Sequence, residues 1–259
     1  MALLKRKNQK VLTKNFGLIG YPLSHSFSES YFREKFLREG ITDCIFKNIE
    51  VIDLDYFISN LSRELTGFCI TMPYKEKIIP YCDELDTNAK EIGAINVVKV
   101  ITDKNKTVLK GYNSDIVGFD RSLFDNISNM KVKALILGTG GASKAVSYVL
   151  KKNGIDFKFV SRHPKNNNIL SYNQIDKSIL ESYKLIINTT PLGMHPFLEE
   201  VPNINIDYIT PSHIIFDLIY NPSQTIFMKL AKAKGAKTIN GFDMLCYQAE
   251  EAWRIWNAK

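Results

Sequence analysis

A strand that leads straight into a glycine-rich turn and a helix is encoded by residues 134–143, which read ALILGTGGAS. The four leading apolar residues predict a buried parallel strand. Glycines after such a strand permit a tight turn and let the backbone approach a pyrophosphate, whose charge is favoured at a helix N-terminus. The stretch therefore predicts a dinucleotide-binding α/β unit. A glycine turn that binds no ligand is the alternative.

The end of the next predicted strand, residues 157–161, indicates which dinucleotide is bound. An acidic residue there would hold the ribose 2′-hydroxyl of NAD, but the chain continues with Arg162 and His163. Arg162 offers a planar donor fork for the 2′-phosphate of NADP, so NADP is the predicted cofactor. The cofactor-binding residues predicted from these two segments are Gly138, Gly140, Gly141, Ala142, Ser143, Ser161 and Arg162.

Strands and helices alternate along most of the chain. Beyond the segments above, the predicted strands are residues 16–20, 44–49, 67–72, 94–102, 107–112, 185–188 and 213–217. The predicted helices begin at residues 29, 54, 114 or 115, and 142. This alternation predicts an α/β fold with a mainly parallel sheet in each of two domains. The first covers residues 1–114, and the second, which carries the glycine-rich turn and is Rossmann-like, covers residues 115–238.

Two of the helices carry more specific predictions. In the first, the residues expected on one buried face are Tyr31, Phe32, Phe36 and Leu37. In the helix at the domain boundary, Ser114 or Asp115 is predicted to cap the N-terminus. That helix is expected to run to about Phe124.

The composition is that of an ordinary globular protein, and it disfavours nucleic-acid binding and membrane association. Of 259 residues, 45% are hydrophobic and 24% charged, with a formal net charge of +7. Outside residues 5–7 the basic residues are mixed with acidic ones, which disfavours nucleic-acid binding, whereas a positive balance suits anionic ligands. No apolar run approaches the ~20 residues that cross a bilayer, so no membrane association and a cytoplasmic location are expected.

The cysteines and the N-terminus give no sign of further chemistry. The four cysteines form no C-x-x-C pair, so neither a metal site nor a redox motif is predicted. The first 14 residues are rich in lysine and are expected to be a frayed tail. Composition leaves both a monomer and a homodimer open.

The loop after residues 16–20 concentrates hydroxyl groups. Ser26 and Ser28 are spaced so that both can face one carboxylate from an extended segment. Serines before a helix are more often simple caps, and on this evidence alone that interpretation is preferred.

Three further polar residues follow or precede predicted strands. Lys75 lies just beyond residues 67–72, at the end of a strand where open α/β sheets bind ligands, although a lone lysine is more often a surface charge. Asn96 adds an amide at the start of a strand, and Asp115 adds a carboxylate at the start of a helix. Asp115 alone could be a helix cap.

Together these segments resemble the shikimate dehydrogenase family. The similar segments are residues 20–28 (G-x-P-x-x-H-S-x-S), 71–75 (T-x-P-x-K), 93–96 (G-A-x-N), 111–115 (G-x-N-T-D), 138–143 (G-x-G-G-A-S), 217–220 (D-x-x-Y) and 240–248 (N-G-x-x-M-L-x-x-Q). They occur in one consistent order from about Phe16 to the end of the chain. Agreement of seven ordered segments by chance is very improbable.

The resemblance implies a reaction and a role for each residue. The reaction is the reversible reduction of 3-dehydroshikimate to shikimate with NADPH, a step towards chorismate and the aromatic amino acids. Ser26 and Ser28 would hold the substrate carboxylate. The residues that would arrange the ring hydroxyls are Thr71, Lys75, Asn96, Asp115, Tyr220 and Gln248, and those beside the nicotinamide would be Leu218 and Gly241. The resemblance also implies that the first domain binds the substrate and that the final helix, within residues 239–259, returns to that domain.

The chemistry of ketone reduction agrees with two of these roles. When a hydride reaches the carbonyl carbon, the oxygen gains charge and a proton must arrive from an acid within hydrogen-bond reach. Lys75 is the candidate acid and Asp115 its partner.

The chain departs from the family pattern at several positions. Glu29 stands where proline is usual, Cys69 where asparagine is usual, and Ser114 where threonine is usual. Ser161 and His163 flank Arg162 where the family often has asparagine and threonine, so the choice of cofactor is the least direct inference.

Three other functions share parts of this pattern. A quinate or dual quinate and shikimate dehydrogenase would carry the same motifs and can prefer NAD. A non-catalytic sensor would keep the ligand cleft, but retention of both Lys75 and Asp115 disfavours it. A folate-dependent dehydrogenase has a similar architecture, but paired serines fit a small carboxylate better than a pterin.

Overall fold

The computed structural model describes residues 13–23, 26–61, 65–103, 106–127 and 131–258. Residues 1–12, which hold most of the predicted frayed tail and the basic cluster at residues 5–7, lie outside the described residues. Within these ranges, no helix is both long enough and apolar enough to cross a membrane.

The N-terminal half builds one six-stranded sheet. Its strands are β1 (Lys14–Gly20), β2 (Cys44–Glu50), β3 (Leu65–Ile70), β4 (Glu84–Leu85), β5 (Val97–Asp103) and β6 (Lys106–Tyr112). Its helices are α1 (Ser28–Arg38), α2 (Leu54–Ser59) and α3 (Thr87–Ile92). The strand order is β2-β1-β3-β5-β6-β4, and β5 runs antiparallel to both of its neighbours.

The second half builds another six-stranded sheet, which is parallel throughout. Its strands are β7 (Ala134–Leu137), β8 (Phe157–Ser161), β9 (Ile169–Ser171), β10 (Leu185–Asn188), β11 (Ile214–Asp217) and β12 (Lys237–Ile239). The remaining helices are α4 (Asp115–Asn126), α5 (Gly141–Lys152), α6 (Lys177–Ser182), α7 (Ile226–Ala233) and α8 (Phe242–Asn257). Every residue of β7 and β10 is buried, as a sheet covered on both faces requires. The predicted two-domain α/β fold is confirmed.

Each sheet has a point where the strand order reverses. In the second sheet the chain proceeds from β7 through β8 to β9 on one side, then returns to β10 on the other. In the first sheet β2 lies on one side of β1 and β3 on the other. Ligands of open α/β sheets bind outside the carboxyl ends of strands at such points. Gly138 and the loop after Gly20 follow these ends directly.

Helix α1 differs from its predicted face at one position. Phe32 and Phe36 are buried, but Leu37 is 77% exposed, so its predicted burial was wrong. Lys35 is buried in its place, because its ammonium donates to Glu39 and to Glu250 of α8, at 2.8 and 2.7 Å.

Helix α8 packs on the first sheet although it follows the second in sequence. The indole N–H of Trp256 donates to the backbone oxygen of Val98 over 3.0 Å. Trp256 also stacks on Phe16 of β1, with ring centroids 4.7 Å apart. Gly67 of β3 leaves room for this indole, since a Cβ at that position would overlap the Trp256 ring.

Helix α4 contributes to the core of the second sheet. Phe119 and Leu123 are fully buried among residues of β7 and α5, and Phe119 meets Phe216 of β11 edge-on with centroids 5.1 Å apart. The segment before α4 belongs to the first sheet, because β6 ends at Tyr112. The chain therefore passes from one core to the other between Tyr112 and Phe119.

Candidate active site

Lys75 and Asp115 form an ion pair in the cleft between the two sheets. Lys75 Nζ lies 2.6 Å from Asp115 Oδ2, and the side chains are 17% and 7% exposed. The loop that carries Lys75 is fixed on both sides. The buried Tyr74 hydroxyl donates to the backbone oxygen of Val51 over 2.6 Å, and the backbone N–H of Ile95 donates to the Lys75 carbonyl over 2.7 Å.

Asn96 joins this pair to the start of α4. Its side-chain N–H group donates to Asp115 Oδ1 over 2.8 Å and to Ser114 Oγ over 3.0 Å. Its oxygen accepts from the backbone N–H of Ser114 over 2.6 Å. Ser114 is the N-cap residue but makes no side-chain cap bond, and Asp115 is the first helical residue. The predicted N-cap position of Ser114 is confirmed, but its side chain makes no cap bond, because the Ser114 hydroxyl and the Asp115 carboxylate both accept from Asn96 instead.

Gln248 of α8 reaches the same network. Its Oε1 accepts from Asn96 Nδ2 at 3.5 Å and from Ser114 Oγ at 3.4 Å. Helix α8 comes this close because residue 118 of α4 is glycine. A Cβ at Gly118 would lie 2.6 Å from the Met244 carbonyl oxygen and 2.9 Å from Gln248 Cβ. Gly118 was missed from the sequence, since a single glycine within a helix shows no sign of its neighbour.

Thr71 and the paired serines line the same end of the first sheet. The backbone N–H of Thr71 donates to Ile19 of β1 over 2.9 Å, and its side chain packs where a Cβ on Gly20 would lie. Ser26 Oγ accepts from the backbone N–H of Ser28 at 3.4 Å, and both serines are partly exposed. The hydrogen bond to Ser26 is therefore weak and joins residues only two apart in the chain. Ser28 is the first residue of α1.

Aromatic contacts join the serine loop to the second domain and to the start of α8. Phe27, between the two serines, packs against Tyr220 and Phe242 with ring centroids 6.0 and 5.7 Å apart. Burial raises the pKa of Tyr220 above its ordinary value, and a hydrogen bond with the Phe27 backbone partly opposes this.

The rings of Phe27, Tyr220 and Phe242 border a cavity of about 510 Å³. The other residues that line it are Ser26, Ser30, Asn221 and Ser223. Phe27 and Phe242 were not identified from sequence.

The glycine-rich turn has the shape that a pyrophosphate needs. Gly138 has a φ of +109°, where glycine is favoured, and a Cβ there would lie 2.7 Å from Thr189 Oγ1. Gly140 is the N-cap of α5, with no side-chain cap bond and no other atom within 4 Å of where its Cβ would be. The start of α5 therefore leaves room beside Gly140 for a bound group. The buried Ser143 hydroxyl donates to the Gly140 carbonyl over 2.6 Å, and this hydrogen bond stabilises the turn.

Two other predicted cofactor contacts lie beside this turn. Ser161 ends β8, and its hydroxyl accepts from the backbone N–H of His163 over 3.2 Å. Arg162 is exposed on the same loop. A polar hollow of about 390 Å³ lies further along, lined by Lys165, Asn166 and Gln174 among others. The exposed guanidinium of Arg162 suits a phosphate that arrives from solvent.

Leu218 and Gly241 come together across the carboxyl ends of β11 and β12. A Cβ at Gly241 would overlap the Leu218 carbonyl oxygen, so only glycine permits this approach. Their neighbour Asp217 is fully buried, and Asn188, Thr225 and the Ile219 backbone each donate to it. Burial nevertheless raises the pKa of Asp217 to about 6.

Two departures from the family pattern have a visible structural setting. Glu29 accepts from the backbone N–H of Asn48 over 2.8 Å, which ties α1 to the edge strand β2. Cys69 is buried on β3 beside the ion pair, and burial, reinforced by the charge of Asp115, raises the pKa of its thiol.

Comparison with known proteins finds similarity to one family over most of the chain. A family model described as the shikimate dehydrogenase substrate binding domain matches residues 18–98. The chain is 38% identical to a shikimate dehydrogenase (NADP(+)) of Methanococcus maripaludis, over 94% of this chain and 92% of that protein.

Solved structures agree across both domains. A shikimate dehydrogenase from Aquifex aeolicus has a TM-score of 0.82 and 33% identity, and the match covers 95% of this chain and 92% of that one. A shikimate 5-dehydrogenase from Thermus thermophilus, solved in complex with NADP(H) and shikimate, has a TM-score of 0.82 and 26% identity, covering 95% and 94%.

Proposed function

The chain belongs to the shikimate dehydrogenase family, and on that premise we propose that Lys75 and Asp115 carry the proton transfer of its reaction. The reaction is the reversible reduction of 3-dehydroshikimate to shikimate, and the chain is an oxidoreductase that uses NADP. The observation that carries the proposal is the 2.6 Å contact between Lys75 and Asp115 in the cleft where the two sheets present their carboxyl ends.

Lys75 has the position of an acid that protonates a new alkoxide. NADPH, when bound, supplies the hydride. The ammonium of Lys75 then gives a proton to the oxygen that gains charge, and takes it back in the reverse direction. Asp115 keeps the ammonium oriented, and Asn96 holds Asp115 through its second oxygen at 2.8 Å. The pair is thereby held by the protein's own groups, which limits reorganisation during the reaction.

The substrate would lie between the paired serines and this network. Ser26 and Ser28 supply hydroxyl groups for its carboxylate, and Tyr220 stands beside them through its contact with Phe27. Thr71, Asn96 and Gln248 face the same cleft and supply partners for ring hydroxyls. Asn96 and Gln248 already share hydrogen bonds with Ser114, so their polar atoms converge on one region.

The residues around the glycine-rich turn fit NADP. The open space beside Gly140, at a helix N-terminus without a side-chain cap bond, suits the pyrophosphate, with the amides of Gly141, Ala142 and Ser143 next to it. Arg162 and Ser161 suit the 2′-phosphate on its adenosine. Leu218 and Gly241 would lie along the nicotinamide.

We place the domain division at residues 1–114 and 115–238, with residues 239–259 returning to the first domain, although Ile239 itself still pairs with Phe216 of the second sheet. The passage between the two cores from Tyr112 to Phe119 supports the first boundary, and the contact of Trp256 with Val98 supports the second. A cytoplasmic location fits the proposed biosynthetic substrate, and cell fractionation tests it. The monomer and the homodimer are distinguished by light scattering.

One assay tests the substrate and the cofactor together. Absorbance of the reduced nicotinamide is followed with purified protein and with shikimate or quinate, each against NADP or NAD. Efficient turnover with shikimate and NADP alone is the expected result. A preference for quinate or NAD would overturn that specificity in favour of a quinate-type dehydrogenase, and no turnover with any pair would leave the ligand-sensing function.

A further inference from the structure

Gly141 of the glycine-rich turn touches Lys75 of the other domain. A Cβ at Gly141 would lie 3.2 Å from Lys75 Cβ and 3.4 Å from Lys75 Cδ, with Ala94 Cβ at 3.9 Å. At Gly140, one residue earlier, a Cβ would meet nothing within 4 Å. Adjacent glycines of one turn therefore face different surroundings.

Backbone conformation does not require glycine at either position. Gly140 has a φ of −86° and a ψ of −173°, which is extended backbone that any residue adopts. Gly141 is the first residue of α5 and has no positive φ. Glycine at each position is therefore explained by the space that a side chain would occupy there, and not by backbone conformation. For Gly140 this is the open space proposed for the pyrophosphate, and for Gly141 it is the Lys75 side chain.

The contact is part of a broader docking of α5 on the first domain. Lys144 Nζ lies 2.7 Å from Glu76 Oε2, and Glu76 directly follows Lys75 in the chain. The same ammonium donates to the Gly93 carbonyl at 3.4 Å. One turn later, the Tyr148 hydroxyl donates to Asn88 Oδ1 over 2.8 Å. Gly141, Lys144 and Tyr148, spaced three and four residues apart on one face of α5, thus contact the loop of Lys75, Gly93 and helix α3.

We propose that Gly141 is a positioning residue for Lys75, and that its missing side chain lets the cofactor domain press the lysine stem against Asp115. The inference rests on the proposed role of Lys75 in proton transfer. Lys75 is confined between the α5 start on one side and Asp115 at 2.6 Å on the other, so an added methyl group moves the ammonium or the whole turn by a few tenths of an ångström. Small misplacements of this kind lower turnover without comparable loss of binding.

The test compares Gly141→Ala with Gly140→Ala in the same turn. For each variant, the Kd for NADPH is measured by fluorescence titration, and turnover is measured at saturating shikimate and NADP. Gly141→Ala is expected to keep its NADPH Kd within about threefold and to lose about 10- to 100-fold in turnover. Gly140→Ala is expected to act mainly on the Kd, because its methyl group enters the proposed pyrophosphate site.

A double-mutant cycle shows whether Gly141 acts through the ammonium. Lys75→Met keeps most of the stem and removes the proton donor, so the further change Gly141→Ala should cause no additional loss of turnover. A full additional loss in the Lys75→Met background, or a rise of the NADPH Kd that matches the loss of turnover, would overturn the proposal. Near-normal turnover of Lys75→Met alone would instead overturn the role of Lys75, so the two failures are distinguishable.

Circular dichroism and thermal unfolding check that Gly141→Ala folds. If it does not, Lys144→Met tests the same docking without adding atoms to the turn. Removing the ion pair with Glu76 is expected to lower turnover about twofold to fivefold, and to have no effect in the Lys75→Met background. Unchanged turnover of Lys144→Met would then contradict the proposal.

Discussion

The side-chain amide of Asn96 donates to Asp115 over 2.8 Å, while the oxygen of the same amide accepts from the backbone N–H of the residue before Asp115 over 2.6 Å. One buried side chain from the first sheet therefore holds both the carboxylate and the start of the helix that carries it. Since Asp115 turns its other oxygen to Lys75, the orientation of the proposed acid depends on Asn96.

Asn96→Ala is expected to destabilise the fold by about 1–3 kcal/mol, because the Ser114 N–H and the Asp115 carboxylate lose a buried partner. Urea unfolding measures the change. The control is Asn60→Ala, which removes an exposed amide that donates to the Tyr56 carbonyl over 2.8 Å and should cost less than about 0.5 kcal/mol. Equal costs for the two variants would show that burial of Asn96 contributes nothing.

Local sequence patterns were enough to predict most strands of the fold. Features that depend on contacts between distant segments could not be predicted. The run at residues 134–137 is apolar throughout and is followed at once by glycines, so its strand and turn could be predicted from adjacent residues alone. The strands at residues 84–85, 169–171 and 237–239 were missed, because two or three residues show no periodicity.

In the candidate site, too, individual residues could be predicted but the contacts between them could not. Lys75, Asn96 and Asp115 were identified as individual residues, but their hydrogen bonds could not be read from the sequence. Lys35 was not expected to be buried, since one of the two carboxylates that receive its ammonium is Glu250, 215 residues away. The contact between Gly141 and Lys75 likewise depends on how the two domains meet.

Lys75→Met is expected to lower turnover about 10²- to 10⁴-fold, the range typical of general acid–base groups, with a smaller effect on the KM for shikimate. The physical reason is loss of the proton donor while much of the stem remains. Steady-state kinetics with shikimate and NADP measure both constants. Lys77→Met, an exposed lysine of the same loop, is the control. Turnover near that of the unaltered protein would exclude proton transfer by Lys75.

Arg162→Ala is expected to raise the KM for NADPH about 10- to 100-fold and to leave the KM for NADH nearly unchanged, because only NADPH carries the 2′-phosphate that the guanidinium would bind. Kinetics with both cofactors measure the ratio. Lys158→Ala removes an exposed charge from the strand before Arg162 and serves as the control for a general electrostatic effect. Equal losses with NADPH and NADH would contradict selection by Arg162.

Asp217→Asn is expected to change how stability depends on pH. Burial raises the pKa of Asp217 from an ordinary value of 3.8 to about 6, so the folded state binds a proton more tightly than the unfolded state. The resulting stability is fully present below about pH 4 and is lost as the pH rises through about 6, a change of about 3 kcal/mol. An asparagine can keep the same partners, since its oxygen can accept from Asn188 and Ile219 and its amide can donate to the Thr225 hydroxyl.

The free energy of unfolding of both proteins, measured by urea between pH 4 and 7, tests this expectation. The unaltered protein should lose stability relative to Asp217→Asn as the pH rises. Asp207→Asn is the control with the opposite sign, because Lys234 lowers the pKa of that exposed carboxyl, and any stability it provides is lost as the pH falls. If the difference between the unaltered protein and Asp217→Asn is constant across this range, Asp217 does not titrate there, and its three hydrogen bonds offset the effect of burial.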